Sequence, residues 1–446
     1  MLSATAVATA TAVLMAGSAT VAAANTAPVA TDTTGDYDLD AAAKIRAAQC
    51  TLTTVQRKGG QALKAVARTG FNGSDADLLA AADTDFSHDV KPPLDGAYTS
   101  DKSRSLAKLD ELNDRHKEWE KSLNVIEPPP YNPTTFGWIT DAQNPFNATG
   151  LSGWIADQFW QTGGDLFDID QTPLASKESV DAVNAIAKAR YTDESRDYDD
   201  LRALDDMTFM HPMYADDARI FLQNGGFPTT APAPDTMEFR LDVEALKARF
   251  ASCSTENPPD PHHVLDAELV TASTEWQAEI NGQKTQRDTI LGAEAAANAD
   301  LQVATQALGE SLGQSIIASR LADWQAYWLK QTPQSAGLDY PDASVFAKVK
   351  ADIVKAQAMA LGELFVASRA AQDARAQAAK ADTAQQAAYA IADNAGQPRG
   401  RGLLYGQQAA QVTKASAAAA TAVAKATETA SNATRASAAD SKTQMA

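Results

Sequence analysis

The chain has 446 residues, 44% of them hydrophobic, and a formal net charge of −19. That length leaves room for two or three domains at about 150 residues each, although much of the apolar fraction is alanine, which favours helix and buries little area. The acidity excludes a nucleic-acid binder, whose target phosphates call for clustered Lys and Arg.

Residues 1–24 hold an apolar stretch over 6–16 and an A-x-A site at Ala22–Ala24. This predicts a signal peptide removed to leave Asn25 first, and hence a secreted, extracellular protein. No Lys or Arg precedes the apolar stretch, so either the signal is atypical or the true start lies upstream of Met1, and the second is the expectation. No other run approaches the roughly 20 apolar residues of a membrane span. Residues 25–38 are rich in Thr, Ala and Asp and are expected to be a mobile leader.

Residues 39–255 read as an N-terminal helical domain. A helix over 41–58 is broken by Gly59-Gly60. A second over 61–69 is expected to close at Gly70. Ser74 with Asp77 three residues on predicts a capping box for a third. Leu109, Leu112, His116, Trp119 and Leu123 follow +3, +4, +3, +4 spacing, which places them on one helix face. Pro128-Pro129-Pro130 ends that pattern. Residues 131–173 then form a loop-rich aromatic insert with Trp138, Trp154 and Trp160 among Gly and Pro. Helices resume over 177–190 and 216–223, the latter stopped by Gly225-Gly226, and Phe239, Val243, Leu246 and Phe250 make another stripe.

The Pro-rich break at 256–261 predicts a domain boundary. Residues 262–395 read as a long-helix hairpin. Ile317, Leu321, Trp324 and Trp328 stripe its first arm, and Phe346, Val349, Ile353 and Leu364 its second. Residues 396–446 read as an alanine-rich stalk that stops while still helical. Its sides carry Ala, Thr and Ser, so it either meets a partner at very close approach or stands as a rigid solvated rod of about 50 Å. The predicted fold class is therefore mainly α: a helical bundle or repeat region with a loop-rich aromatic insert, followed by long helices and the stalk.

Two cysteines, Cys50 and Cys253, in an exported chain predict a disulfide. His262-His263 beside Asp266 and Glu268 invites a metal reading, but a solvated helix start with acids in its first turn explains the pattern better. Asp165, Asp168 and Asp170 lack the Gly and Glu of a calcium loop. No G-x-S-x-G, H-E-x-x-H or Walker loop is present. No catalytic residue, metal or cofactor is therefore expected.

Two stretches carry a family resemblance. GQPRGRGLLYGQQAAQVTKASAAAATAVAKATETASNATRASAADSKT, residues 396–443, resembles the junction between a helical front region and an alanine-rich stalk in large secreted actinobacterial proteins of the polymorphic-toxin type. RKGGQALKAVARTGFNGSDADLLAAA, residues 57–82, is similar to their alanine-leucine-phenylalanine-rich helical repeats, and DDARIFLQNGGF, residues 216–227, has the same flavour. The resemblance implies a delivery or presentation scaffold, with activity in variable C-terminal modules. The matched stretches contain no catalytic residue of such modules, so none carries over. The expected function is a secreted non-enzymatic scaffold with protein partners or self-association through its long helices. The alternative is a secreted hydrolase or cell-wall polysaccharide-binding protein, whose ligand would stack on Trp138, Trp154 and Trp160.

Overall fold

The computed structural model describes residues 37–85, 91–123, 173–191, 198–210, 212–234, 236–254, 256–333 and 340–444. Among them are twelve α-helices and no named strand; the one β-type pairing is an isolated bridge between Leu174 and Tyr214. The stretch expected to be a signal peptide and the three tryptophans of the expected aromatic insert lie outside the described residues.

Four helices open the described chain: α1 (Leu39–Lys58), α2 (Gln61–Asn72), α3 (Asp75–Ala81) and α4 (Pro93–Leu123). Asp38 caps α1 by accepting from the Ala41 N–H at 2.8 Å. The capping box of α3 forms as its sequence predicts, with Ser74 and Asp77 bonding each other's backbone. The expected stop at Gly70 does not occur, and α2 runs through it to Asn72. A Cβ at Gly70 would lie 2.7 Å from both Leu52 and Ala81. That glycine serves the close packing of α1 and α3 on α2 rather than ending a helix.

After α5 (Lys177–Arg190), α6 (Tyr198–Asp205) continues into a π-helical turn, Asp206–Met210. These pack with α7 (Ala215–Asn224) around Val183, Met207, Phe221 and Phe227. A neighbouring cluster joins Phe239, Val243, Leu246 and Phe250 of α8 (Met237–Ala251) to Leu269, Trp276 and Ile280 of α9 (Asp266–Gly282). All four predicted stripe residues of α8 are buried.

The rest of the fold is a three-helix bundle of α10 (Lys284–Leu329), α11 (Ala343–Asn394) and α12 (Gly406–Gln444). At about 1.5 Å per residue, α10 and α11 are roughly 70 and 80 Å long. The pairs Asn298–Ser416, Ser311–Thr427 and Gln325–Ser441 advance together along α10 and α12, so these two helices are parallel. Residues of α11 meet α10 in the reverse order, from Phe346 beside Trp324 to Ala388 in the cluster of Ile290, so α11 is antiparallel to both. Gly396, in the left-handed region at φ 64°, closes α11. The Gln397 N–H reaches back to the Ala392 carbonyl at 2.8 Å, and the Gly396 N–H to that of Asp393. These two bonds satisfy carbonyls that the helix end would strand.

The alanine-rich segment is thus the third member of a bundle, and of the two outcomes open to it close approach is the one realised. Ala409, Ala410, Ala417, Ala420, Val423, Ala430 and Ala438 are buried. Thr413, Thr427 and Thr434 are buried too, and each hydroxyl donates to the carbonyl four residues earlier in its own helix. A threonine satisfied in this way makes no polar demand on the facing helix, so its methyl group can pack. Asp38–Ala446 groups as one unit by contact density. One core cluster draws on α1 to α4 together with α10, α11 and α12, so it spans segments that the sequence divides into a helical domain, a hairpin and a stalk.

Candidate functional site

The predicted disulfide is formed. Cys50 lies on α1, and Cys253 sits just beyond α8 in the left-handed region at φ 64°. Their Cα atoms are 5.5 Å apart across a sequence separation of 203 residues. By loop entropy, a closure this long is worth about 5 kcal/mol at the upper end.

No group of three or more His, Cys, Asp or Glu is arranged to hold a metal ion among the described residues. His262 Nε2 stands 3.0 Å from Asp200, whereas His263 is exposed and 3.9 Å from Asp266. His116 is buried against Trp119 with ring centroids 5.0 Å apart, a packing position. His211 and the aspartates at 165, 168 and 170 lie outside the described residues. Glu268 departs from the solvated role expected for it. It is fully buried, and neither carboxylate oxygen has a hydrogen-bond partner. It shares a helix face with buried Leu265 and Ala272. Burial, with Asp242, Asp260 and Asp266 nearby, pushes its carboxyl up to about 7.

Two sets of charged side chains stand out from the rest. The first is a balanced lock of three cations and three carboxylates. Lys247 is buried with its ammonium 2.6 Å from Glu244, 2.7 Å from Glu275 and 2.9 Å from Glu279. Arg240 forks onto Glu275. Arg401 grips Glu279 with two nitrogens, at 2.6 and 2.7 Å, and reaches Glu244 at 3.0 Å. Burial alone would lower the Lys247 pKa, but the three carboxylates raise it. Burial likewise opposes ionisation of Glu244 and Glu275, and their cationic partners hold both below the usual carboxylate range. Every charge is paired, so the lock fixes geometry: it ties the turn Arg401–Leu403, between α11 and α12, to α8 and α9.

The second set surrounds a cavity of about 250 Å³ between the α1–α2 turn, α10 and α12. Glu294 of α10 is fully buried at its wall. Its Oε1 accepts from Lys64 Nζ at 2.6 Å and from the Tyr405 hydroxyl at 3.3 Å, while Oε2 has no hydrogen-bond partner. Burial pushes the Glu294 carboxyl up, and Lys64, Tyr405 and Asn298 pull it partly back. Burial and the adjoining carboxylate push the Tyr405 phenol up. Asn298 accepts from Ser416 at 2.6 Å on the same wall. Arg57 borders the cavity and has no ion-pair partner among the described residues.

Sequence reading did not single out Lys64, Glu294, Asn298 or Tyr405, because they come from separated segments with no local motif. The available signal was weak: a Glu among alanines on the face of a long helix, and a Tyr next to a glycine break.

No protein-family model matches the chain, and no curated protein or solved structure matches it either.

Proposed function

We propose that the chain is a secreted, non-enzymatic helical scaffold, a rigid spacer of the kind its resemblance to the front and stalk base of toxin-delivery proteins implies. The observation that carries this reading is the length and continuity of the bundle. The core runs from Ile290 beside Ala388 to Trp328 beside Phe346, with α12 packed along it as far as Ser441. Three mutually packed long helices hold a fixed separation between their ends, which a single alanine helix in water does less well. The disulfide suits an oxidising compartment outside the cell. The protein partners are those that would attach at the bundle's ends or along its outer faces.

Spin labels at Lys348 and Lys414 test the spacer. Both side chains are exposed, and Lys414 pairs with Asp382 on α11. The helix from Lys348 to Asp382 rises about 50 Å at roughly 1.5 Å per residue. A single narrow distance near that value is expected in solution, and a broad or short distribution would rule out a rigid spacer. Mass spectrometry of culture supernatant tests export, with Asn25 or a near neighbour expected as the first residue. Trp154→Ala tests the hydrolase or wall-binding alternative, since under the scaffold reading it leaves peptidoglycan and polysaccharide pull-down unchanged.

A further inference from the structure

A bundle helix is expected to be polar on the side that faces water, and α11 is not. Ala347, Ala351, Val354, Ala358, Leu361 and Phe365 follow +4, +3, +4, +3, +4 spacing, which makes one stripe along the helix. All six are exposed, Phe365 at 67%. The buried residues Val349, Ile353, Ala356, Ala360 and Ala367 lie on the opposite side of α11. Of the large apolar side chains left exposed among the described residues, α11 carries four between Val354 and Val366, α10 two and α12 none. From Ala347 to Phe365 the stripe rises about 27 Å.

This spacing is that of a coiled-coil seam, whose apolar residues alternate between positions a and d while charges at the flanking positions e and g choose the partner. With Val354 and Leu361 at d, the charged residues at e and g between 347 and 369 are Lys348, Lys350, Lys355 and Arg369, and no acid stands among them. Lys348 and Arg369 pair with Asp352 and Asp373 of their own helix, which leaves Lys350 and Lys355 as net positive charge beside the stripe. The surplus is local. Residues 343–444, which form α11, α12 and their connection, hold twelve Lys and Arg against seven Asp and Glu, in a chain of net charge −19.

Charge and side-chain size decide what the stripe fits. A second copy fails on charge: antiparallel pairing sets the basic e positions against each other, and parallel pairing sets Lys350 at g beside Lys355 at the following e. A lipid surface calls for bulky anchors such as Trp, Phe and Leu, whereas Ala347, Ala351 and Ala358 are small, and a Cβ on neighbouring Gly362 would meet nothing within 4 Å. Small residues between Val354, Leu361 and Phe365 leave holes that side chains of a closely apposed helix fill. We propose that this face of α11 docks an acidic amphipathic helix of a partner protein. Large apolar residues of that helix seat on Ala351, Ala358 and Gly362, and its flanking Asp or Glu side chains meet Lys350 and Lys355. The inference rests on the scaffold reading, since a seam this long stays straight only if the bundle is rigid.

Fluorescence anisotropy with the oxidised full chain tests this with two synthetic peptides of about three heptads. Both carry Leu at a and d; one has Glu at every e and g, which keeps it from pairing with itself, and the other has Lys there. The Glu peptide should bind with a Kd below about 100 µM, at least about tenfold tighter than the Lys peptide, and added salt should narrow that difference. Leu361→Glu, at an exposed position, should weaken the Glu peptide at least about tenfold. Lys350→Glu with Lys355→Glu should leave a preference under about twofold. Both variants should keep the circular-dichroism spectrum and the spin-label distance of the spacer, so loss of docking and loss of the spacer are separate results. The proposal is overturned if the Glu peptide does not bind saturably up to about 1 mM, if the Lys peptide binds as tightly, or if Leu361→Glu binds as wild type does. Dimerisation of the wild type, or its sedimentation with phosphatidylglycerol vesicles, that Leu361→Glu abolishes would give the face to a second copy or to a lipid surface and also overturns it.

Discussion

At one end of the bundle Trp119, Trp324, Trp328 and Phe346 fill the space between helices, with Trp324 only 5.1 Å from Phe346 between ring centroids. In the middle the same three helices meet through Ala297, Ala304, Ala370, Ala371, Ala374, Ala417 and Ala420, with only Leu308 and Val423 larger among the buried residues. The aromatic end is stabilised by the area each side chain removes from water. The midsection removes little area per residue and depends instead on many close contacts between helices. The two zones should therefore fail in opposite ways: the first when a side chain is cut back, the second when one is enlarged.

Trp324→Ala should have the largest effect. A fully buried tryptophan cut to alanine costs about 3–5 kcal/mol, visible as a lower urea midpoint with an unchanged m-value. A loss under about 1 kcal/mol would mean that the aromatic end does not hold the helices together.

Glu268→Gln calibrates the comparison, since it removes a burial cost outside both zones. Its carboxyl titrates at about 7 in the folded chain against an ordinary 4.5. The folded state therefore holds the proton after the unfolded state has released it. Stability from this group is complete below about 4.5 and is lost as pH rises through about 7. At pH 8 the loss is on the order of 3 kcal/mol. The variant should be more stable than wild type at pH 8 and equal to it near pH 4, as measured by denaturant melts across that range. A gain that is the same at both pH values would reject the burial explanation.

Ala420→Leu is the midsection's counterpart to Trp324→Ala. It adds apolar area, which would stabilise a loosely packed core, but here it must push helices apart and should cost about 1–3 kcal/mol. The same change at exposed Ala358 of α11 should be within about 0.5 kcal/mol of neutral. An Ala420→Leu protein as stable as wild type would show that α12 is not closely seated. Ser441→Ala should have the smallest effect. It removes the hydroxyl that donates to buried Gln325 at 2.7 Å but leaves the Ser441 carbonyl accepting from the same amide. The expected loss is about 1 kcal/mol, measured by thermal melting.

The aromatic end was largely legible in the sequence, because large apolar residues at helical spacing contrast with their polar neighbours. Ile317, Leu321, Trp324 and Trp328 are all buried, as are Phe346, Val349 and Ile353 opposite them. Leu109, first in the α4 stripe, is exposed while Leu112, His116, Trp119 and Leu123 are buried; at that level α4 meets α10 through polar side chains, Lys108 and Glu111 bonding Gln306. The midsection was not legible. Alanine lies on every face of α12, so periodicity does not separate the packed face from the open one, and threonines bonded to their own helix look no different in sequence from solvated ones. Glu268 and Glu294 were hidden for a related reason. An acid on a helix reads as a solvated face unless its partners are known, and Lys64 lies 230 residues from Glu294. The disulfide was legible because two cysteines leave one intramolecular pairing.

Amide hydrogen exchange along α12 tests most directly whether the alanine-rich segment is a packed bundle helix. The amides of Ala417, Ala420 and Val423 should be protected as strongly as those of Ala304 on α10 and Ala374 on α11, their neighbours in one core cluster, and should lose protection together with them in denaturant. Exchange at Ala417, Ala420 and Val423 as fast as in an isolated helix, with Ala304 and Ala374 still protected, would contradict a packed α12 and return it to a solvated rod.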